Sequence, residues 1–169
     1  MLISFPVGRG QDEELIGQTF AEDWQLRPFE GPSGPGRDGV SSLASFATRL
    51  IPNLSYDRQL TLLCGDKAVV VSKVAGTVTT TPPPTRINLL QSILGIEPLG
   101  EEIPFFPGIP ASDIGGKSFE TIAIDVQRIR DGEIGQTWSV LDWASAVRQM
   151  VNNQPPTDLG FSRDFLTNV

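Results

Sequence analysis

The chain has 169 residues, 39% of them hydrophobic and 20% charged, which is the composition of a single globular domain and not of a disordered chain. Thirteen basic residues face twenty acids, and the net charge of −7 argues against nucleic acid or an anionic membrane surface as a partner. Histidine is absent and Cys64 is the sole cysteine, so Ser–His, Cys–His and zinc–His chemistry and an intrachain disulfide are all excluded.

Met1–Pro6 is too short for a secretory signal and lacks its basic segment, and no run of about 18 apolar residues is present to span a bilayer. A cytoplasmic protein is therefore expected. From Gln11 to Trp24 the spacing of Leu15, Ile16, Thr19 and Phe20 predicts a helix, with Asp12, Glu13 and Glu14 in its first turn. Residues 27–39 are dense in glycine and proline and predict a loop. Val40, Leu43, Phe46, Ala47 and Leu50 then form one helical stripe, ended by Ile51-Pro52. The period next changes to that of strands. Tyr56–Cys64 and Lys67–Val78 predict an antiparallel hairpin about Gly65-Asp66, with Cys64 read as a small buried apolar residue.

Residues 79–116 are too many for a plain connection. They hold three prolines at 82–84, a predicted short helix over Arg86–Leu94 and the apolar run Ile103–Pro110. Two placements are open: a lid over a cavity mouth, or a surface packed on a second subunit. Ser118–Ile129 and Ile134–Leu141 predict a second hairpin about Asp131-Gly132, one of the strongest short turn signals. Asp142–Met150 closes the fold as a helix, and 151–169 form a polar tail. The expected organisation is one domain over 1–150 with an insertion at 79–116. Its class is α+β, a curved antiparallel sheet wrapped around N-terminal helices into a cone with an open mouth.

Side chains alternate along a strand, so Gln136, Trp138, Val140 and Asp142 share one face of the last strand. An indole and a carboxylate on one apolar wall predict a general acid/base, because a dry surrounding disfavours the charged carboxylate and lifts its pKa toward neutrality. Asp142 is the candidate for that role; the competing reading makes it the N-cap of the helix that follows. Ser72, Trp24, Asp23 and Asp125 are further candidates to face the pocket. The structural readings make Trp24 core, Asp23 a loop anchor and Asp125 an outer-face or dimer-interface charge, with strand register deciding which way Ser72 and Asp125 point.

Gly31–Gly39 entering a helix, Ile51-Pro-Asn-Leu54, Gly65–Val70, Gly76-Thr77 and Phe106–Pro110 combine with a more specific stretch. That stretch is Arg128-Ile-Arg-Asp-Gly-Glu-Ile134 followed by Thr137-Trp-Ser-Val-Leu-Asp142. Together they resemble the SnoaL-like polyketide cyclases of the nuclear transport factor 2-like superfamily. The resemblance implies a cone-shaped α+β barrel, dimeric through the outer face of its sheet, with an apolar pocket for a small oxygenated polyketide or terpenoid. It also implies chemistry without cofactor or metal: ring closure by aldol condensation, or isomerisation. It places Asp142 as the acidic residue four after the tryptophan, and Val78 and Thr137 where members commonly carry histidine. Epoxide-hydrolysing relatives use an Arg-x-Asp pair, which this chain lacks. The readings that follow are a proton-transferring cyclase or isomerase, or a non-catalytic small-ligand binder or dimeric scaffold of the same fold.

Overall fold

The structure, a computed structural model, describes residues 12–27, 36–79, 102–103 and 106–155. In chain order these form α1 (Asp12–Thr19), β1 (Phe20–Arg27), α2 (Gly36–Leu50), β2 (Ser55–Cys64), β3 (Lys67–Thr77), β4 (Glu102–Ile103), β5 (Phe106–Pro110), α3 (Ala111–Ile114), β6 (Ser118–Arg130), β7 (Glu133–Leu141) and α4 (Trp143–Asn152). The predicted helix over 86–94 and the tail from 156 onward lie outside the described residues.

Five strands make one curved, open sheet in the order β1-β7-β6-β3-β2. Both predicted hairpins are present. Gly65 turns β2 into β3 at φ 59, and Asp131 and Gly132, at φ 54 and 86, give the paired positive φ that a tight two-residue hairpin loop requires. The first helix is shorter than its periodicity predicts. It ends at Thr19, and Phe20–Arg27 instead runs as a strand parallel to β7. Phe20 and Trp24 are aromatic, a type that fits a pleated half-buried surface better than a helix, and the extended form buries both.

Strand alternation divides the sheet into two faces. Toward the helices β3 turns Ala68, Val70, Ser72 and Val74, all buried, and β6 turns Phe119, Thr121, Ala123, Asp125 and Gln127. The apolar part of this inner face is split. One cluster joins Leu50, Ile51, Val74, Val78, Phe119, Ala123, Ala146 and Met150 at the α2–α4 end; the other joins Ile16, Phe20, Trp24, Val40 and Ile134 beside β1. Ile114 of α3 is fully buried in the first cluster, so the end of the 79–116 insertion belongs to the core. Cys64 is exposed, against expectation, because it ends β2 at the hairpin tip, where none of the described elements covers it.

Asn53 fastens the exit of α2 to the sheet: its carbonyl accepts from Thr77 N at 2.7 Å and its amide donates to Thr77 Oγ1 at 3.2 Å. Gly76 makes this approach possible. A Cβ there would overlap the stiff Cγ2 methyl of buried Ile51. Gly76→Ala is expected to cost about 1–3 kcal/mol by overpacking, read as a lowered midpoint in urea with an unchanged slope.

Candidate active site on the inner face of the sheet

Register brings a polar band together in the gap between the two apolar clusters. Thr61 pairs with Val70, Val70 with Asp125 and Asp125 with Ser139, so these four form one row across β2, β3, β6 and β7. The next row toward the Asp131-Gly132 turn is Leu63, Ala68, Gln127 and Thr137. On the other side Ser72 pairs with Ala123 and Ala123 with Leu141. Facing neighbours across strands sit about 5 Å apart, and successive rows are separated by about 7 Å.

Asp125 is the charge of this band. Burial pushes its carboxyl above the usual carboxylate range, and a hydrogen bond donated by Ser139 offsets part of that rise. Tyr56, on the inner side of β2, has its phenol pushed up to about 12 by burial and then by the Asp125 charge. Both shifts favour the protonated form of the group. Behind the band the Trp24 indole N–H donates to Thr137 Oγ1 at 3.0 Å, fixing that hydroxyl in the interior. Ser72 also faces inward, as one of the sequence readings has it, and is 3% exposed.

The other candidates lie elsewhere. Asp142 is exposed and caps α4: its Oδ1 accepts from Ser145 N at 3.0 Å. Hydrogen bonding from Ser145, side chain and backbone, holds its carboxyl below the usual range. An ionised, solvated carboxylate lacks the dry surroundings on which the acid/base expectation rested. Trp138 and Gln136 point to the outer face, since their partners Val126 and Arg128 lie on the outward alternation of β6. Val78 is part of the filled core, and Trp24 is fully buried, with its one polar atom used by Thr137.

The inward face of β7 is thus Thr137, Ser139 and Leu141. The alternation was legible, but the large indole suggested the opposite face as interior. A bulge where Gln136 follows Ile134 in pairing with Arg128 and Ile129 leaves Gly135 as the extra residue. It keeps Ile134 and Thr137 both inward, which strict alternation forbids. The same outcome reverses Asp125, read as an outer charge and found inside. Its signal was its position two and six residues from Ala123 and Phe119, a period that puts all three on one face.

A polar cleft of about 420 Å³ opens elsewhere, near the Asp131-Gly132 turn. Its charges satisfy one another: Arg37 meets Glu133 at 2.9 Å and Arg130 meets Asp23 at 2.6 Å. Among the described residues no group of His, Cys, Asp or Glu has the arrangement to hold a metal ion.

No protein-family model and no curated protein sequence matches the chain. Solved structures do. A SnoaL-like polyketide cyclase from Agrobacterium tumefaciens is similar at 16% identity and a TM-score of 0.56, over 82% of this chain and 85% of that one. TsrD from Streptomyces laurentii is similar at 19% identity and a TM-score of 0.59, over 85% and 84%. A Catenulispora acidiphila protein with a ketosteroid isomerase-like fold, bound to trimethylamine, is similar at 16% and 0.55, over 86% and 89%. At such identities the likeness shows the fold, the nuclear transport factor 2-like α+β cone that the sequence resemblance implied.

The capping role of Asp142 has a direct consequence. Asp142→Asn, an equally good cap, is expected to leave the thermal midpoint in place, whereas Asp142→Ala loses about 1 kcal/mol; calorimetry of the two variants at neutral pH distinguishes them.

Proposed function

We propose that this protein is a cofactor-independent cyclase or isomerase that moves a proton on an apolar, oxygenated small molecule of polyketide or terpenoid type, with Asp125 as the acid/base. The observation that carries the reading is the partly buried, raised carboxyl of Asp125 on the inner face, in the gap between two apolar clusters. Such a carboxylate is a competent base near neutral pH because the group it becomes on protonation is the form its surroundings favour. Asp125 takes a proton from a carbon beside a carbonyl; the C–H electron pair becomes the enolate, and the carboxylic acid then returns the proton. Return to a different carbon of the same skeleton isomerises the substrate. Return to the alkoxide formed when the enolate carbon attacks a second carbonyl completes an aldol closure. Histidine is absent, so one carboxyl serves both steps, and this favours isomerisation, which needs a single acid/base.

The outer face supports a homodimer as part of the same proposal. Two cross-strand rows on it are apolar throughout: Leu62, Val69, Val126 and Trp138, and beside them Leu60, Val71, Ile124 and Val140. Leu62, Ile124, Trp138 and Val140 are all exposed, with Val140 at 65%. A contiguous apolar sheet face on a chain of this size matches the self-complementary patch of a two-fold interface, and the occupant is a second copy of this chain. No helix among the described residues is long and apolar enough to cross a membrane. An exposed lone thiol at Cys64 suits a reducing compartment, and we place the protein in the cytoplasm on that ground.

Two experiments test these readings. Deuterium uptake from D2O into C1 of 2-tetralone, followed by NMR, is expected to be accelerated by the protein, and Asp125→Asn is expected to lower that rate by about 10²–10⁴-fold; an unchanged rate leaves the non-catalytic binder as the reading. The same variant reports on stability. The raised carboxyl binds its proton more tightly in the native state, so its contribution is complete below the unfolded pKa and is lost as pH rises through the native one. Asp125→Asn removes that loss: it melts with the wild type in acid and later than the wild type, by roughly 2–4 °C per kcal/mol, near neutrality. In the second experiment, Val140→Lys is expected to halve the solution mass measured by light scattering while leaving the far-UV spectrum intact.

A further inference from the structure

Resting on the reading of the inner face as the substrate site, we infer that Gln127 is a specificity-determining residue whose side-chain oxygen receives a hydroxyl of the ligand. Gln127 is 7% exposed, and its Oε1 is buried with no hydrogen-bond partner. Other buried polar side chains of the inner face are met. Gln149, equally buried, uses both ends of its amide, accepting from Glu120 N at 2.9 Å and donating to Glu120 O at 2.7 Å. Thr121 donates to Asp142 O at 2.9 Å, and Thr137 accepts from Trp24. A buried acceptor left unmet costs the protein free energy that a good core avoids, so its retention calls for a partner from outside the chain.

Position strengthens the assignment. Gln127 follows Asp125 by two residues on the same inward alternation of β6, so the two side chains leave the sheet side by side, about 7 Å apart. The other buried unpartnered side-chain atom among the described residues, Thr61 Oγ1, belongs to the row of Asp125 itself, with Val70 between them. Both unmet groups therefore flank the one carboxyl that exchanges protons. Asp125 in its ionised form, the one that acts as base, cannot supply what Gln127 Oε1 lacks; a donor is required. The ligand class that fits is an apolar ring system with a hydroxyl about 6–7 Å from its exchangeable carbon, the separation of the two rows. A phenol para to the ring carbon that bears that position comes close to such a distance, and the flexible Gln127 side chain covers the remainder.

The test compares binding of 2-tetralone and 6-hydroxy-2-tetralone by calorimetry to the wild type and to the near-isosteric Gln127→Met. The wild type is expected to prefer the hydroxylated compound by about 5- to 100-fold, the effect of satisfying a buried acceptor. Gln127→Met is expected to bring that ratio close to one, and, by removing the unmet atom, to raise the thermal midpoint. Equal binding of the two compounds by the wild type, with deuterium exchange on 2-tetralone intact, overturns this inference alone. A preference that survives in Gln127→Met overturns it as well, because the hydroxyl is then recognised elsewhere. Binding of neither compound overturns it together with the reading of the inner face as a substrate site. Because the wild-type ratio is decisive by itself, the inference stays open to refutation if the variant does not fold.

Discussion

The structure turns on the desolvation of one carboxylate. A sheet that wraps around helices ordinarily buries an unbroken apolar face, and in this protein that face is interrupted where Asp125 and Gln127 stand between two separate clusters. Leaving an acid there costs stability, since the charged form loses water that one hydroxyl of Ser139 replaces in part. The same cost raises the carboxyl above the ordinary carboxylate range, which is what the proposed acid/base role requires. Stability and proposed function are set against each other at a single side chain.

The surrounding elements serve to hold that side chain in place. β3 and β6 pair over eleven positions without a shift, from Lys67↔Arg128 to Thr77↔Ser118, so the central register cannot slip by one without exposing the whole inward set. On β7 the Gly135 bulge lets Ile134 close the second cluster while Thr137 and Ser139 still face Asp125's side of the sheet. At the far end Asn53 and Gly76 bring α2 onto the sheet, and Gln149 ties α4 to the backbone of Glu120. Each device fixes a strand or helix against the face on which the carboxyl lies.

How far this was legible in the sequence depends on the scale. The two hairpins, both with their turn residues, the α2 stripe and the closing helix follow from local rules, because glycine, Asp-Gly and a 3.6-residue period act over a few residues. β1 was not legible: Phe20–Arg27 continues a helical pattern, and its strand form is imposed by pairing with β7, more than a hundred residues away. The site was half legible. The direction of Ser72 was left to strand register, and the alternation of β7 was correct as a pattern, but which face is inside is a tertiary fact. Trp138 pulled the choice toward itself, and with it Asp142 was taken as the inward carboxylate where the structure has Asp125. Trp138 is exposed on the outer face, where the proposed homodimer would cover it, and a large indole is no guide to the interior when such a face exists.

The central claim is electrostatic, and carboxyl titration followed by ¹³C NMR addresses it without a substrate. The account predicts that Asp125 titrates above the ordinary carboxylate range and Asp142 below it, in one sample, with Asp125 moving toward the ordinary value when the fold is lost. An Asp125 that titrates at or below the ordinary range in the folded protein would contradict it.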